Sequence, residues 1–147
     1  MQQRILIAEA ETDELARIAA CLNSKGYEIV PALTGLDALK QARVALPDLI
    51  ILDATLPDID GQDVCDILRR LPSTAPIPII MLATWSSLSR ALPAETGPDE
   101  CLTKPFATAE VALRVNETLS RWNELRMERE APDRMADYEP RMRWLEG

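Results

Sequence analysis

Four short apolar runs divide the first eighty residues: Ile5-Leu6-Ile7-Ala8, Tyr27-Glu28-Ile29-Val30, Leu49-Ile50-Ile51-Leu52 and Ile79-Ile80-Met81-Leu82. Each is strand-sized, and most lack the polar alternation of a half-exposed strand. Between them the apolar positions recur at helical spacing. Leu15, Ile18, Ala19 and Leu22 follow Thr12 and Asp13, two N-cap candidates, and Gly26 stands where a helix-ending C′ glycine belongs. Thr34 opens a helix through Ala38, Leu39, Ala42 and Leu46 that Pro47 closes. Val64, Ile67, Leu68 and Leu71 form the stripe of a third helix, and Pro76 and Pro78 bound the fourth strand. Residues 85–98 are the least regular: Ser86 to Leu92 can form a short helix that Pro93 keeps short. A weaker fifth strand, Glu100-Cys101-Leu102-Thr103, leads to Lys104-Pro105 and to a long helix starting near Thr108 with Val111, Val115, Leu119 and Trp122 on one side. Five βα units with buried, non-alternating strands predict an α/β fold: a parallel sheet covered by helices on both faces.

The helical pattern outlasts the fifth unit. Val115, Thr118, Trp122, Leu125 and Arg129 keep heptad-like spacing until Pro132, and Met135, Tyr138, Met142 and Leu145 repeat it around Pro140. The expected division is a domain over residues 1–122 and a C-terminal helical extension or linker over 123–147. That extension either folds back on its own domain or pairs with a second copy as a homodimer.

Composition narrows the function. The 147 residues carry a net charge of −8, which argues against unassisted nucleic-acid binding. No apolar run is long enough for a membrane span, and Met1-Gln2-Gln3-Arg4 leads directly into a strand without a signal-peptide pattern, so the expected compartment is the cytoplasm. Cys21, Cys65 and Cys101 are odd in number and widely spaced, as buried free thiols would be. The chain has no histidine, which excludes His-based catalysis and a role as histidine phosphodonor. A flavin-carrying module of the same architecture fits poorly, because Glu9-Ala10-Glu11-Thr12 follows the first strand in place of a phosphate-cradling loop.

The most apolar run ends in Asp53 and opens into Leu56-Pro57-Asp58-Ile59-Asp60-Gly61. A carboxylate there lies at the C-terminal edge of the sheet, where ligands collect in open α/β folds. Together with Ile5-Leu6-Ile7 before an acidic turn, Pro47-Asp48-Leu49-Ile50-Ile51-Leu52-Asp53, Pro78-Ile79-Ile80-Met81-Leu82 and Leu102-Thr103-Lys104-Pro105-Phe106, it resembles the receiver domain of bacterial two-component response regulators over about residues 3–122. The resemblance implies a flavodoxin-like (βα)5 sheet of order 2-1-3-4-5 and a signalling module rather than an enzyme. It implies phosphorylation of Asp53 by a sensor histidine kinase or other signalling partner, with Lys104 pairing the phosphoryl group. It further implies Mg²⁺ held by Glu9, Asp53 and the Thr55 backbone.

The chain departs from that pattern at three places. Ala10 stands where the family places a metal-binding acid, Ala83 where a Ser or Thr meets the phosphate, and Cys101 where an aromatic residue switches rotamer. Ala10 argues against Mg²⁺. Glu11 lies one residue further and, in an extended turn, points elsewhere; Thr84 is one step late and, on a continued strand, faces the other side. Two readings therefore stand: a pseudo-receiver with weakened or lost Mg²⁺-dependent phosphorylation, acting through protein contacts, and a conventional phosphoacceptor switched at Asp53. Trp85 either anchors a partner or covers the end of the core.

Overall fold

A computed structural model describes residues 2–88 and 97–136. Five strands, β1 (Arg4–Ala8), β2 (Glu28–Ala32), β3 (Leu49–Asp53), β4 (Ile79–Ala83) and β5 (Glu100–Thr103), form one parallel sheet of order β2-β1-β3-β4-β5. Helices α1 (Thr12–Ser24), α2 (Gly35–Ala45), α3 (Gly61–Arg70), α4 (Trp85–Leu88) and α5 (Thr108–Ala136) follow the strands in turn.

The central strands carry the core. β3 and β4 are buried at every position, and β1 from Ile5 on, because side chains alternate between two covered faces. Leu6, Ile50, Leu52 and Met81 pack against Ala38 and Ala42 of α2 and Val64, Cys65 and Leu68 of α3. Ile5, Ile7, Ile51, Ile80 and Leu82 pack against Leu15, Ile18 and Leu22 of α1 and Val111, Val115 and Leu119 of α5. Each fully buried Leu or Ile contributes about 1.5–3 kcal/mol, so these paired layers hold the sheet edge rigid beneath the site.

Several sequence expectations shift. β2 lies later than expected and includes Pro31, which an edge strand with one neighbour tolerates. α1 begins at Thr12 with Glu11 as its N-cap residue; Thr12 and Asp13 are already helical and cannot cap. Thr34 caps α2 as expected, its hydroxyl accepting from Asp37 N at 3.0 Å. On α3 Val64 and Leu68 are buried as expected and Cys65 is buried with them, while Ile67 is 38% exposed. α5 continues past Pro132 to Ala136 with the loss of one backbone donor. Its stripe turns outward: Val115 and Thr118 are buried, Trp122 is half-buried and Leu125 is exposed. Residues 89–92 of the expected short helix, and Tyr138, Met142 and Leu145, lie outside the described residues. Cys65 is buried, its thiol pushed up to about 11 by burial, and Cys21 and Cys101 are half-buried. Among the described residues no helix is long and apolar enough to cross a membrane.

Candidate functional site

Parallel register brings the site together. Ala8 pairs with Leu52, so the next residues, Glu9 and Asp53, leave adjacent strands side by side at the C-terminal edge. Asp53 pairs with Leu82, and Ala83 with Thr103, which places Lys104 two strands away on the same edge. This is the crevice beside the switch in strand order, where doubly wound sheets bind ligands.

Asp53 is 3% exposed and both its carboxylate oxygens are engaged. Oδ1 accepts from Thr55 N at 2.7 Å, and Oδ2 accepts a hydrogen bond from Lys104 Nζ. The loop after β3 is fixed from two directions. Asp58 accepts from Gly35 N at 2.7 Å and Leu36 N at 3.0 Å, which holds its carboxyl below the usual range and ties the loop to the start of α2. Gly61 N donates to Ala54 O at 2.9 Å. A Cβ at Gly61 would lie 2.3 Å from Asp53 O, so only glycine lets α3 begin this close to the acidic residue.

Lys104 N donates to Ala83 O at 2.8 Å, and the Lys104–Pro105 peptide is cis. Besides Asp53, Lys104 Nζ lies 3.4 Å from Glu9 Oε1 and 3.8 Å from Glu14 Oε1. Burial pulls the ammonium down, but the Asp53 hydrogen bond and the charges of Asp53, Glu9 and Glu14 outweigh it and raise Lys104 above its ordinary value. Glu9 is 1% exposed and is pushed up to about 8, chiefly by burial and then by the hydrogen bond and charge of Asp53, against the pull of Lys104. One lysine cannot neutralise two buried carboxylates. Its closest contact is with Asp53, so Glu9 keeps its proton near neutral pH.

The cleft has a volume of about 280 Å³ and is lined by Glu9, Ala10, Glu11, Glu14, Asp53, Thr55, Thr84 and Lys104. Two expectations are corrected here. Glu11 does not point elsewhere: the chain turns into α1 at Thr12 instead of running on extended, and carboxylate oxygens of Glu9, Glu11 and Glu14 lie within 4.8 Å of one another. Thr84 does not face the opposite side: β4 stops at Ala83, and Thr84 lines the cleft with its hydroxyl 2.9 Å from Ser87 Oγ. Glu14 was missed in the sequence, although its place three residues after Glu11 puts it on the same face of the first turn. Ala83 is buried against the α2/α3 side of the core and Cys101 packs beside it, so neither offers a group to the cleft. Trp85 is 76% exposed and does not cover the core.

The model of the response regulator receiver domain matches residues 5–116. The chain belongs to this family. The receiver is 36% identical over 121 residues to the alkaline phosphatase synthesis transcriptional regulatory protein PhoP of Bacillus subtilis, a match covering 82% of this chain and 50% of that protein. The chain thus spans about half the length of the curated relatives it matches. Among solved structures it resembles the receiver domain of a signal transduction histidine kinase from Syntrophus aciditrophicus, with 30% identity and a TM-score of 0.74 over 80% of this chain and 90% of that one. It also resembles the receiver domain of the sensor histidine kinase PA1611 from Pseudomonas aeruginosa, described with a magnesium ion coordinated in its active site cleft, with 29% identity and a TM-score of 0.68 over 83% and 98% of the two chains. This receiver domain therefore serves two-component signalling, and its sheet order is the one the resemblance implied.

Proposed function

We propose that this receiver is atypical: Mg²⁺-dependent phosphorylation of Asp53 is weakened, and the domain signals through protein–protein contacts in the cytoplasm rather than acting as an enzyme. The carrying observation is the ion pairing of Lys104. Its ammonium is bound to Asp53 and sits near Glu9, while Ala10 brings no carboxylate and the buried Ala83 no hydroxyl. An incoming phosphoryl group must displace that contact with less help from metal and hydroxyl than the family pattern provides.

The donor set still fits a divalent cation. Hard carboxylate oxygens gather in one cleft, and Glu9, Asp53 and the Thr55 carbonyl would hold the ion. When bound, it would supply positive charge against the phosphoryl oxygens. The proposed partner is a sensor histidine kinase or another signalling protein. The exposed Trp85 suits a partner anchor, and the outward-turning stripe of α5 suits a homodimer contact through the extension from residue 123 on.

The test is titration with acetyl phosphate and with beryllofluoride in millimolar Mg²⁺, followed by mass and by Trp85 fluorescence. Low adduct yield, rising in A10D, supports the reading. A stoichiometric adduct that is lost in D53N overturns it and establishes the conventional phosphoacceptor.

A further inference from the structure

We propose that Asp58 is a positioning residue for the acceptor: by holding the β3–α3 loop to the start of α2, it keeps the Thr55 N–H on the Asp53 carboxylate. The inference rests on the reading of Asp53 as a weakened acceptor, and it makes the start of α2 part of the acceptor site.

The loop is closed at its base, where Ala54 N donates to Leu82 O at 2.8 Å and Gly61 N to Ala54 O at 2.9 Å. Its tip is held across a gap. The Asp58 carboxylate reaches α2 and accepts from Gly35 N at 2.7 Å and Leu36 N at 3.0 Å. Both donors belong to a helix start, whose first N–H groups have no intrahelical partner. An ionised acceptor makes such bonds stronger than neutral ones. Gly35 permits the approach: a Cβ there would lie 3.1 Å from Ile59 Cβ and 3.2 Å from Asp58 Oδ1. Leu56 and Ile59 pack against the core from the same loop, but apolar burial is non-directional, whereas the two Asp58 bonds fix a direction. What the loop delivers is Thr55 N, 2.7 Å from Asp53 Oδ1. That bond sets the rotation of the carboxylate. It thereby aims the oxygen that attacks phosphorus as the donor's P–O bond breaks and the donor's carboxylate leaves. A misplacement of about 1 Å that originates away from the chemistry can cost about a hundredfold in rate.

The test compares the full chain with D58A, D58N and the control T34A by two readouts. One is hydrogen exchange of the Thr55 amide, followed by NMR. The other is the initial rate of adduct formation with acetyl phosphate in millimolar Mg²⁺, followed by mass. Thr34 serves the same helix start by a bond local to α2, its hydroxyl accepting from Asp37 N at 3.0 Å, so T34A weakens α2 without removing the tie to the loop. The expected result is that D58A speeds Thr55 exchange and slows adduct formation, each about tenfold. D58N keeps one acceptor oxygen and shows about a threefold change in each, while T34A changes both less than about twofold. Asp58 is exposed, so unfolding does not confound its substitution, and circular dichroism checks this. Unchanged Thr55 exchange in D58A overturns the proposal. So does an equal change in T34A, which would mark a general loosening of α2, and so does faster exchange with an unaltered adduct rate. A wild-type chain that forms no adduct fails the underlying acceptor reading instead, and Thr55 exchange then decides the Asp58 tie by itself.

Discussion

The two sides of the Asp53 cleft are held in different ways. On the side built by β3, the start of α3 and the residues after β5, every group is engaged: Asp53 with Thr55 and Lys104, Asp58 with the start of α2, Gly61 against the backbone of Asp53. On the side built by the β1–α1 turn and the end of β4, Ala10 and Ala83 are inert, Glu9 is buried with half a partner, and Glu11 is unpaired among the described residues. The first side is held by packing and by mutual burial of charge, so removing any part leaves a costly remainder.

The strongest way to break the intact side is Gly61→Ala. The new Cβ would sit 2.3 Å from Asp53 O and 2.7 Å from Ala54 Cα, both backbone atoms that cannot swing aside. We expect a loss of about 3 kcal/mol or more in urea unfolding, because close-packed backbone has to separate. Lys104→Met comes next. It leaves Asp53 buried without its cation, and because Lys104 is itself 22% exposed the expected loss is about 2–3 kcal/mol. If K104M unfolds at the wild-type midpoint, the pair is not what holds this side together.

The intact side was also the legible one. Asp53 and Lys104 could be placed from sequence because each ends a strand, and strands announce themselves by their apolar runs. The sheet order followed from the family resemblance. The other side depends on where an extended turn becomes helix, and a one-residue difference there redirects every side chain. Thr12 and Asp13 both look like caps, yet the helix already includes them, which brings Glu11 and Glu14 into the cleft. Thr84 was misplaced for the same reason: the strand stops one residue before it. Nor does a stripe of large apolar residues single out Cys65, a small side chain that is buried beside Val64 and Leu68 while the bulkier Ile67 is left partly exposed. The exposure of Trp85 has no local sequence signal at all.

The looser side is probed by pH. In metal-free protein, with a chelator present, folded Glu9 holds its proton up to about pH 8 while the unfolded chain releases it near the ordinary value of 4.5. Between those values the folded state binds the extra proton, so stability falls as pH rises. The raised Lys104 adds stability that is present below its ordinary value of 10.5 and lost only above it, outside this window. Glu9→Gln should flatten the slope and make the variant more stable than wild type on the alkaline side. Parallel pH profiles of the two proteins would sink the assignment of that proton to Glu9.

The smallest effect sharpens the comparison most. Ala83→Ser adds one hydroxyl at the end of β4, where the alanine is 1% exposed and packed among apolar neighbours. The hydroxyl would be buried among apolar side chains, and the expected loss is about 1 kcal/mol. If this side has lost only the phosphate contact, beryllofluoride and Mg²⁺ should recover part of that loss in A83S and stabilise it more than they stabilise the wild-type chain, as a shift in melting temperature reads directly. An equal shift in both proteins would mean that the hydroxyl does not meet the phosphate. The weakness of the site would then lie wholly in the β1–α1 turn, at Ala10.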